Sequence, residues 1–265
     1  MIPYGEPGPM SDRERYIFDC AGYLVIPNAL TQEEAQAALE ACERLHRDLP
    51  QDQWRQIGGA YEKEPALEAL IDHPSILPKA RALFGDRFIL QSSWATAVPA
   101  GFRGGGFHED GSSAYPFSKL AEATPLIQLR TGFILTDQSE PGVGNLALIP
   151  GSHRAKASLP DGANRRNLPN AHVTTGPPGT AVMFHQGTHH CGTENERPYP
   201  RHMYHTIYAP PWLHLTDRWG NCERFLERTT PMRRALAGVW GDETASFHMP
   251  PLPWQEWEAE RGADA

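Results

Sequence analysis

Cysteine is scarce in this chain. Cys20, Cys42, Cys191 and Cys222 are the only four among 265 residues, they lie far apart, and no C-x-x-C occurs. That spacing argues against a zinc knuckle or a small disulfide scaffold and predicts reduced thiols. Cys191 adjoins a histidine pair, yet no neighbouring base and orienting group mark it as a nucleophile, so a buried small residue is the plainer reading. Long apolar runs are missing as well, and the opening "MIPYGEPGPM" has no basic stretch leading into an apolar one. The expectation is a cytoplasmic protein with no membrane as partner. Positive charge is in deficit: 24 Lys and Arg face 32 Asp and Glu, for a net charge of −8. This argues against nucleic acid as a partner, although local basic clusters can still meet small anions. No internal repeat and no sharp shift of composition divides the chain, so one domain over 1–265 is expected. Nothing in the sequence sets an oligomeric state.

What is present is a loop-rich globular composition, with 40% hydrophobic residues, 24 Gly and 25 Pro. Ser11 with Glu14, and Thr31 with Glu34, match the S/T-x-x-E capping box, so helices are predicted to begin there. "YLVIPN" between them reads as a short buried strand, and "HPSILPKARALFG" as a third helical region stopped by Gly85. From "RFILQSSWATAVPAG" onward the pattern turns extended, through "TPLIQLRTGFILTD", "NLALIP", "TAVMFHQ" and "RHMYHTIYAP", with Gly, Pro, Asn and Asp between the runs. Such a series predicts a β-sandwich. Segments 111–125 and 154–170 are long, polar and punctuated, the usual character of functional lids. After Pro211, "DRWGNCERFLERTT" and "PMRRALAGVW" read as helical and lead into a tail bearing Pro and Trp.

The chemistry begins at "GFRGGGFHEDGSS". In an extended chain His108 and Asp110 share a face while Glu109 points away, so one nitrogen and one carboxylate oxygen can reach a common point. A third donor is needed. "FHQGTHHCGTENERPYPRHMYH" supplies candidates in His185, His189, His190, His202 and His205, along with Arg197 and Arg201. Two imidazoles and one carboxylate on one side of iron(II) leave three positions open, the arrangement that non-haem oxygenases use. A guanidinium suits the far carboxylate of a 2-oxo acid, because it binds bidentately and stays charged. Arg201 follows His190 by eleven residues, at the start of the next predicted strand.

His108-x-Asp110, "GNLALIPGSHR" at 144–154, and "HCGTEN" at 190–195 followed by Arg201 resemble the phytanoyl-CoA dioxygenase family of iron(II)/2-oxoglutarate oxygenases. "FDCAGYLVIPNALTQEEAQAALEA" and "FILTDQSEPGVGNLALIPGSH" resemble that family's opening and its central strand–turn–strand, so the likeness spans most of the chain. It implies a double-stranded β-helix, a jelly-roll that is mainly β with flanking helices. It also places the metal ligands on His108, Asp110 and His190, with 2-oxoglutarate held at its distal carboxylate by Arg201. Asn195 matches a family asparagine after the distal histidine, with a role in orienting a ligand. The contacts to the oxo-acid end are less defined: Leu146 stands where some relatives carry a hydroxyl, and Gln128 and Arg55 are the candidates offered in its place. Cys191 and Thr193 change the usual glycine placement, which keeps His189 as a minor contender for the distal ligand.

The implied cofactors are iron(II), 2-oxoglutarate as cosubstrate and dioxygen, with ascorbate as an activator. The implied reaction oxidises a C–H bond of a small-molecule substrate while 2-oxoglutarate becomes succinate and carbon dioxide. Asp110 itself favours hydroxylation or a related oxidation, because the halogenating relatives carry a small residue there. A non-redox, cupin-like binder is the alternative, but it gives Arg201 no task. His153 in "IPGSHR" reads as part of a turn, and His185 as a packing residue. Arg154, Lys156, Arg165 and Arg166 form a basic stretch that reads first as a solvated loop and second as a contact for an anionic group.

Overall fold

The computed structural model describes residues 2–112, 115–116, 126–155, 159–160, 162–163, 170–218, 220–240 and 249–262. In chain order the elements are α1 (Asp12–Ala21), β1 (Tyr23–Ile26), α2 (Gln32–His46), β2 (Arg55–Gly58), α3 (Pro65–Glu68), α4 (Leu77–Phe84) and β3 (Ile89–Val98). They continue as β4 (Gly111–Ser112), β5 (Tyr115–Pro116), β6 (Leu129–Ile134), β7 (Leu146–Leu148), β8 (His172–Val173), β9 (Ala181–His185), β10 (His190–Gly192) and β11 (Arg201–Ala209). Three helices close the series, α5 (Glu223–Arg228), α6 (Pro231–Leu236) and α7 (Trp254–Gly262).

Both predicted capping boxes form. The Ser11 hydroxyl accepts from the Glu14 N–H while the Glu14 carboxylate accepts from the Ser11 N–H, and Thr31 and Glu34 repeat the exchange on α2. Gly85 stops α4 at φ 79°, but the helix starts only at Leu77, because Pro78 fits its first turn and the preceding residues form turns instead. The tail also differs from expectation. α7 packs Trp254 and Trp257 into the main core, and the Trp257 indole donates to the Asp72 side chain, so two aromatic rings one turn apart make a helix of a segment that reads as tail.

The large sheet runs β1-β9-β6-β11-β3-β2, every pair antiparallel. A small sheet, β10-β7-β8, is extended by an antiparallel bridge from His108 to His190. Strand alternation divides the large sheet's side chains between two faces. Leu24, Leu129, Phe133, Met183, Tyr204 and Tyr208 point to one face and join Ala35, Ala38 and Ala41 of α2 in the main core. Tyr23, Val25, Ile134, Val182, Phe184 and Met203 point to the other and meet Leu146 and Leu148 of the small sheet. Helices thus cover one face of the large sheet and the small sheet covers the other, a double-stranded β-helix with flanking helices. Among the described residues no helix is long and apolar enough to cross a membrane, and none of the four cysteines, all described, is in a disulfide.

Beneath α1 lies a buried ion pair, with Lys79 Nζ 2.7 Å from Glu14 Oε1. Burial by itself would raise the Glu14 pKa, but Lys79 and the N–H groups of Ser11 and Glu6 outweigh it and hold the carboxyl at about 2. This pair therefore stabilises the fold above the ordinary carboxyl value of 4.5, and that contribution disappears as pH falls toward 2. Lys79→Met leaves the carboxylate buried and alone, so unfolding at neutral pH should become easier by about 3–5 kcal/mol, with a smaller deficit in strong acid. Urea titrations at pH 7 and pH 3 check both halves. An equal deficit at the two values would refute the linkage.

Candidate active site

The glycine run 104–106 has a packing reason. The Gly105 N–H donates to the Gly192 carbonyl at 2.9 Å, and Gly104 sits at φ 87° close against the backbone of Thr193 and Glu194. A chain this close to β10 and turned into the left-handed region calls for glycine. It delivers His108 to its bridge, where His108 and His190 exchange N–H···O bonds of 3.0 and 2.8 Å. Two residues on, the Asp110 N–H donates to the Gln186 carbonyl at 3.0 Å, which brings the carboxylate to the end of β9.

One ligand atom from each of His108, Asp110 and His190 falls within 4.8 Å of the others, with His190 Nε2 3.8 Å from Asp110 Oδ1. Both imidazoles use Nδ1 against the backbone: His190 with the Thr188 carbonyl at 2.9 Å, and His108 with the Gly106 carbonyl at 3.2 Å. Donation from Nδ1 leaves each Nε2 with a lone pair for a metal, and the ring orientation is set by the carbonyl behind it. The His190 ring is packed by His108 and by Phe184, at centroid distances of 4.4 and 4.8 Å. Burial pushes its pKa down to about 4 against the opposing pull of Asp110, so it is neutral and able to ligate near pH 7. Two imidazoles and a carboxylate converging from one side fit iron(II) by donor type and number.

Arg201 opens β11 and is only 4% exposed. Its Nε donates to the Gly144 carbonyl at 2.8 Å, and the guanidinium lies 5.9 Å from the Trp54 ring centroid. Burial lowers its pKa to about 10, and no carboxylate among the described residues offsets that. Gly144, at φ 77°, leaves the space beside the arginine in which a Cβ would crowd Arg201 Cβ and Nε at 3.3 and 3.4 Å. A charged fork buried without an acid suits a dicarboxylic cosubstrate.

The remaining candidates have protein partners of their own. The Gln128 amide donates to Gln91 Oε1 at 3.0 Å. Asn195 donates to the carbonyls of Pro99 and Tyr199, at 3.1 and 3.0 Å, and accepts from the Arg197 N–H. It clasps the turn leading to Arg201 rather than reaching the triad. Arg55 aligns with Ala97 on the helix-covered face and bonds Gln51. Arg197 pairs with Asp137 near the surface. His189 is held by its backbone, donating to Ser152 and accepting from Ile149. His153 Nε2 contacts the Asp19 carbonyl, and its ring stacks on His185 at 4.9 Å, a packing arrangement for both. Arg154 pairs with Asp19. Lys156, Arg165 and Arg166 lie outside the described residues, as does most of the two expected lid segments.

A sequence model of the family described as phytanoyl-CoA dioxygenase (PhyH) matches residues 18–203, well over half of the chain. The chain belongs to the phytanoyl-CoA dioxygenase family. It is accordingly a non-haem iron(II)/2-oxoglutarate-dependent dioxygenase, an oxidoreductase, and the non-redox alternative falls away. An ectoine dioxygenase of Bordetella bronchiseptica is 27% identical over 246 residues, covering 78% of this chain and 79% of that protein. Among solved structures, HygX from Streptomyces hygroscopicus with nickel and 2-oxoglutarate bound superposes with a TM-score of 0.65 at 17% identity, over 78% of this chain and 90% of that one. EctD from Sphingopyxis alaskensis with 2-oxoglutarate and 5-hydroxyectoine gives 0.63 at 24% identity, over 95% of both chains. Both share the double-stranded β-helix of this family member.

One inward side chain, Arg130, escapes the sequence reading, and His205, a candidate there, stands inward on the neighbouring strand. Arg130 of β6 places Nε 2.5 Å from Asp110 Oδ2 and its guanidinium 4.7 Å from the Trp94 ring centroid. His205 of β11 lies across from Gly132, where a Cβ would meet its Cε1 at 2.9 Å. Burial, then Arg201, Arg130 and His190, push its pKa well below the ordinary value, so it stays neutral. The signal for Arg130 is its place in "LIQLRTGFIL", the lone charge in a strand that is otherwise uncharged and mostly apolar.

Gly22 ties the N-terminal region to this family member's triad. It ends α1 at φ 82°, and a Cβ there would overlap the Thr188 hydroxyl and the His153 ring. Because the Thr188 carbonyl orients His190, Gly22→Ala should cost roughly 2–4 kcal/mol of stability and weaken iron(II) binding. Thermal melting together with an anaerobic iron(II) titration measures both. A variant that melts and binds like the parent would show that this contact relaxes without consequence.

Proposed function

We propose that this dioxygenase hydroxylates a C–H bond of a small organic metabolite, with His108, Asp110 and His190 as iron ligands and Arg201 as the anchor of the 2-oxoglutarate distal carboxylate. One observation carries the reading: three ligand atoms within 4.8 Å of one another share a barrel with a buried guanidinium whose pKa burial alone perturbs. Bound iron(II) with 2-oxoglutarate supplies the oxidation of the C–H bond, the cosubstrate leaving as succinate and carbon dioxide.

The chain's own residues then have separable tasks. His108 and His190 present Nε2 lone pairs because backbone carbonyls hold Nδ1. Arg201, steadied by the Gly144 carbonyl, holds the five-carbon diacid by its far end and so fixes how deep the oxo-acid end reaches. Phe184 and Trp94 supply apolar walls that keep water from the reacting carbon. A small metabolite as substrate is supported by the relatives, named for ectoine or bound to 5-hydroxyectoine and hygromycin B.

The test begins with protein made anaerobic and given iron(II) and 2-oxoglutarate. A visible charge-transfer band is expected, followed by succinate formation on exposure to air with a panel of small polar metabolites. Absence of both band and succinate would reject the assignment of these residues.

A further inference from the structure

Asp110 meets two different environments with its two oxygens. Oδ1 faces His190 Nε2 at 3.8 Å, toward the point the triad surrounds. Oδ2 faces Arg130 Nε at 2.5 Å, buried and with no hydrogen-bonding partner among the described residues, so the contact is one of charge against charge. Arg130 is itself confined. Its strand lies between β9 and β11, its side chain is 12% exposed, and its guanidinium stacks over Trp94. Asp110 is the acid it faces, and nothing in the reaction described above uses it.

The number of coordination positions gives this pairing a purpose. Three protein donors and a 2-oxo acid bound through two oxygens leave one of six positions for dioxygen. A carboxylate can also bind a metal through both oxygens, and an aspartate that did so here would take that last position. Whatever keeps Oδ2 occupied keeps the position open.

We propose that Arg130 is a positioning residue that holds Asp110 as a one-oxygen ligand and so preserves the coordination position that dioxygen needs. The proposal rests on the metal assignment above, and adds that Arg130 governs access of the diatomic gas rather than retention of the metal. A guanidinium suits the task better than a neutral donor. It satisfies the second carboxylate oxygen electrostatically in a buried place, and the indole beneath it limits its rotation.

Nitric oxide, added without oxygen to protein loaded with iron(II) and 2-oxoglutarate, is the probe. It needs the same open position and gives a half-integer-spin electron paramagnetic resonance signal. In Arg130→Met the nitric oxide concentration for half-saturation should rise at least about tenfold, the lower bound for loss of a ligand's outer partner, while iron(II) and 2-oxoglutarate affinities change little. The turnover number should fall with it, the KM for 2-oxoglutarate staying near the parent value. Arg130→Lys, which keeps the charge but not the planar stacking, should fall between, and carries the test if the methionine variant does not fold by circular dichroism. Half-saturation equal to the parent in both variants would overturn the proposal, as would a change confined to the KM of the primary substrate. A parent protein that binds no iron at this triad removes the metal assignment and the proposal with it. A parent signal that both variants reproduce removes the proposal alone.

Discussion

Alanine in place of His190 should abolish iron(II) retention and turnover while the protein still folds. Loss of an outer partner of a metal ligand costs roughly 10–100-fold in metal affinity or in activity, and loss of one of only three protein ligands removes far more of both. The fold should survive because the ring occupies the inner end of the small sheet, whose backbone exchange with His108 does not depend on the side chain. Anaerobic iron titration, activity and circular dichroism together read the result. Retained iron affinity in this variant would hand the distal position to another residue, His189 being the sequence's other contender. The same substitution at His108 or Asp110 should have the same outcome, since each would supply one of the three donors proposed.

Arg201→Met should leave iron binding intact and raise the 2-oxoglutarate requirement. Removing one member of a buried charged pair costs about 2–5 kcal/mol. That is roughly a 30- to 4,000-fold higher cosubstrate concentration for the same occupancy. Methionine roughly preserves the length against Trp54 and Gly144 while deleting the charge and the donors. The check is the dependence of succinate formation on 2-oxoglutarate, with Arg197→Met as the control. Arg197 pairs with Asp137 at the surface, so its loss should leave that dependence unchanged. A shift in the Arg197 variant and none at Arg201 would exchange the two assignments.

Much of the scaffold is written locally. The boxes at Ser11 and Thr31, the stop at Gly85, and the strand over "YLVI" all appear where the residues predict them, because a cap or a turn is decided within a few positions. The donor types were legible for the same reason: H-x-D in an extended stretch puts two ligands on one side without any long-range information. Failures came where the deciding partner is distant in sequence. α7 depends on a core drawn from much of the chain, from Phe18 onward, and on Asp72, and nothing near Trp254 announces it. Gln128 and Asn195 likewise have partners far off in sequence, Gln91 for the one and the backbone of residues 98–99 for the other. Arg130 could be suspected from its apolar surroundings, whereas its partner could not.

The sequence by itself determined which residue types stand on which face of each strand, where the helices start, and that a nitrogen–carboxylate pair, a later histidine and an arginine follow in that order. Only the tertiary structure decided that the His108 segment lies beside β10, that Arg201 is buried with no acid against it among the described residues, and that Arg130 reaches Asp110. The division is physical. Alternation along a strand is a property of one chain segment, but which strand lies opposite, and in what register, depends on distant hydrogen bonds and on how two sheets close over a shared core.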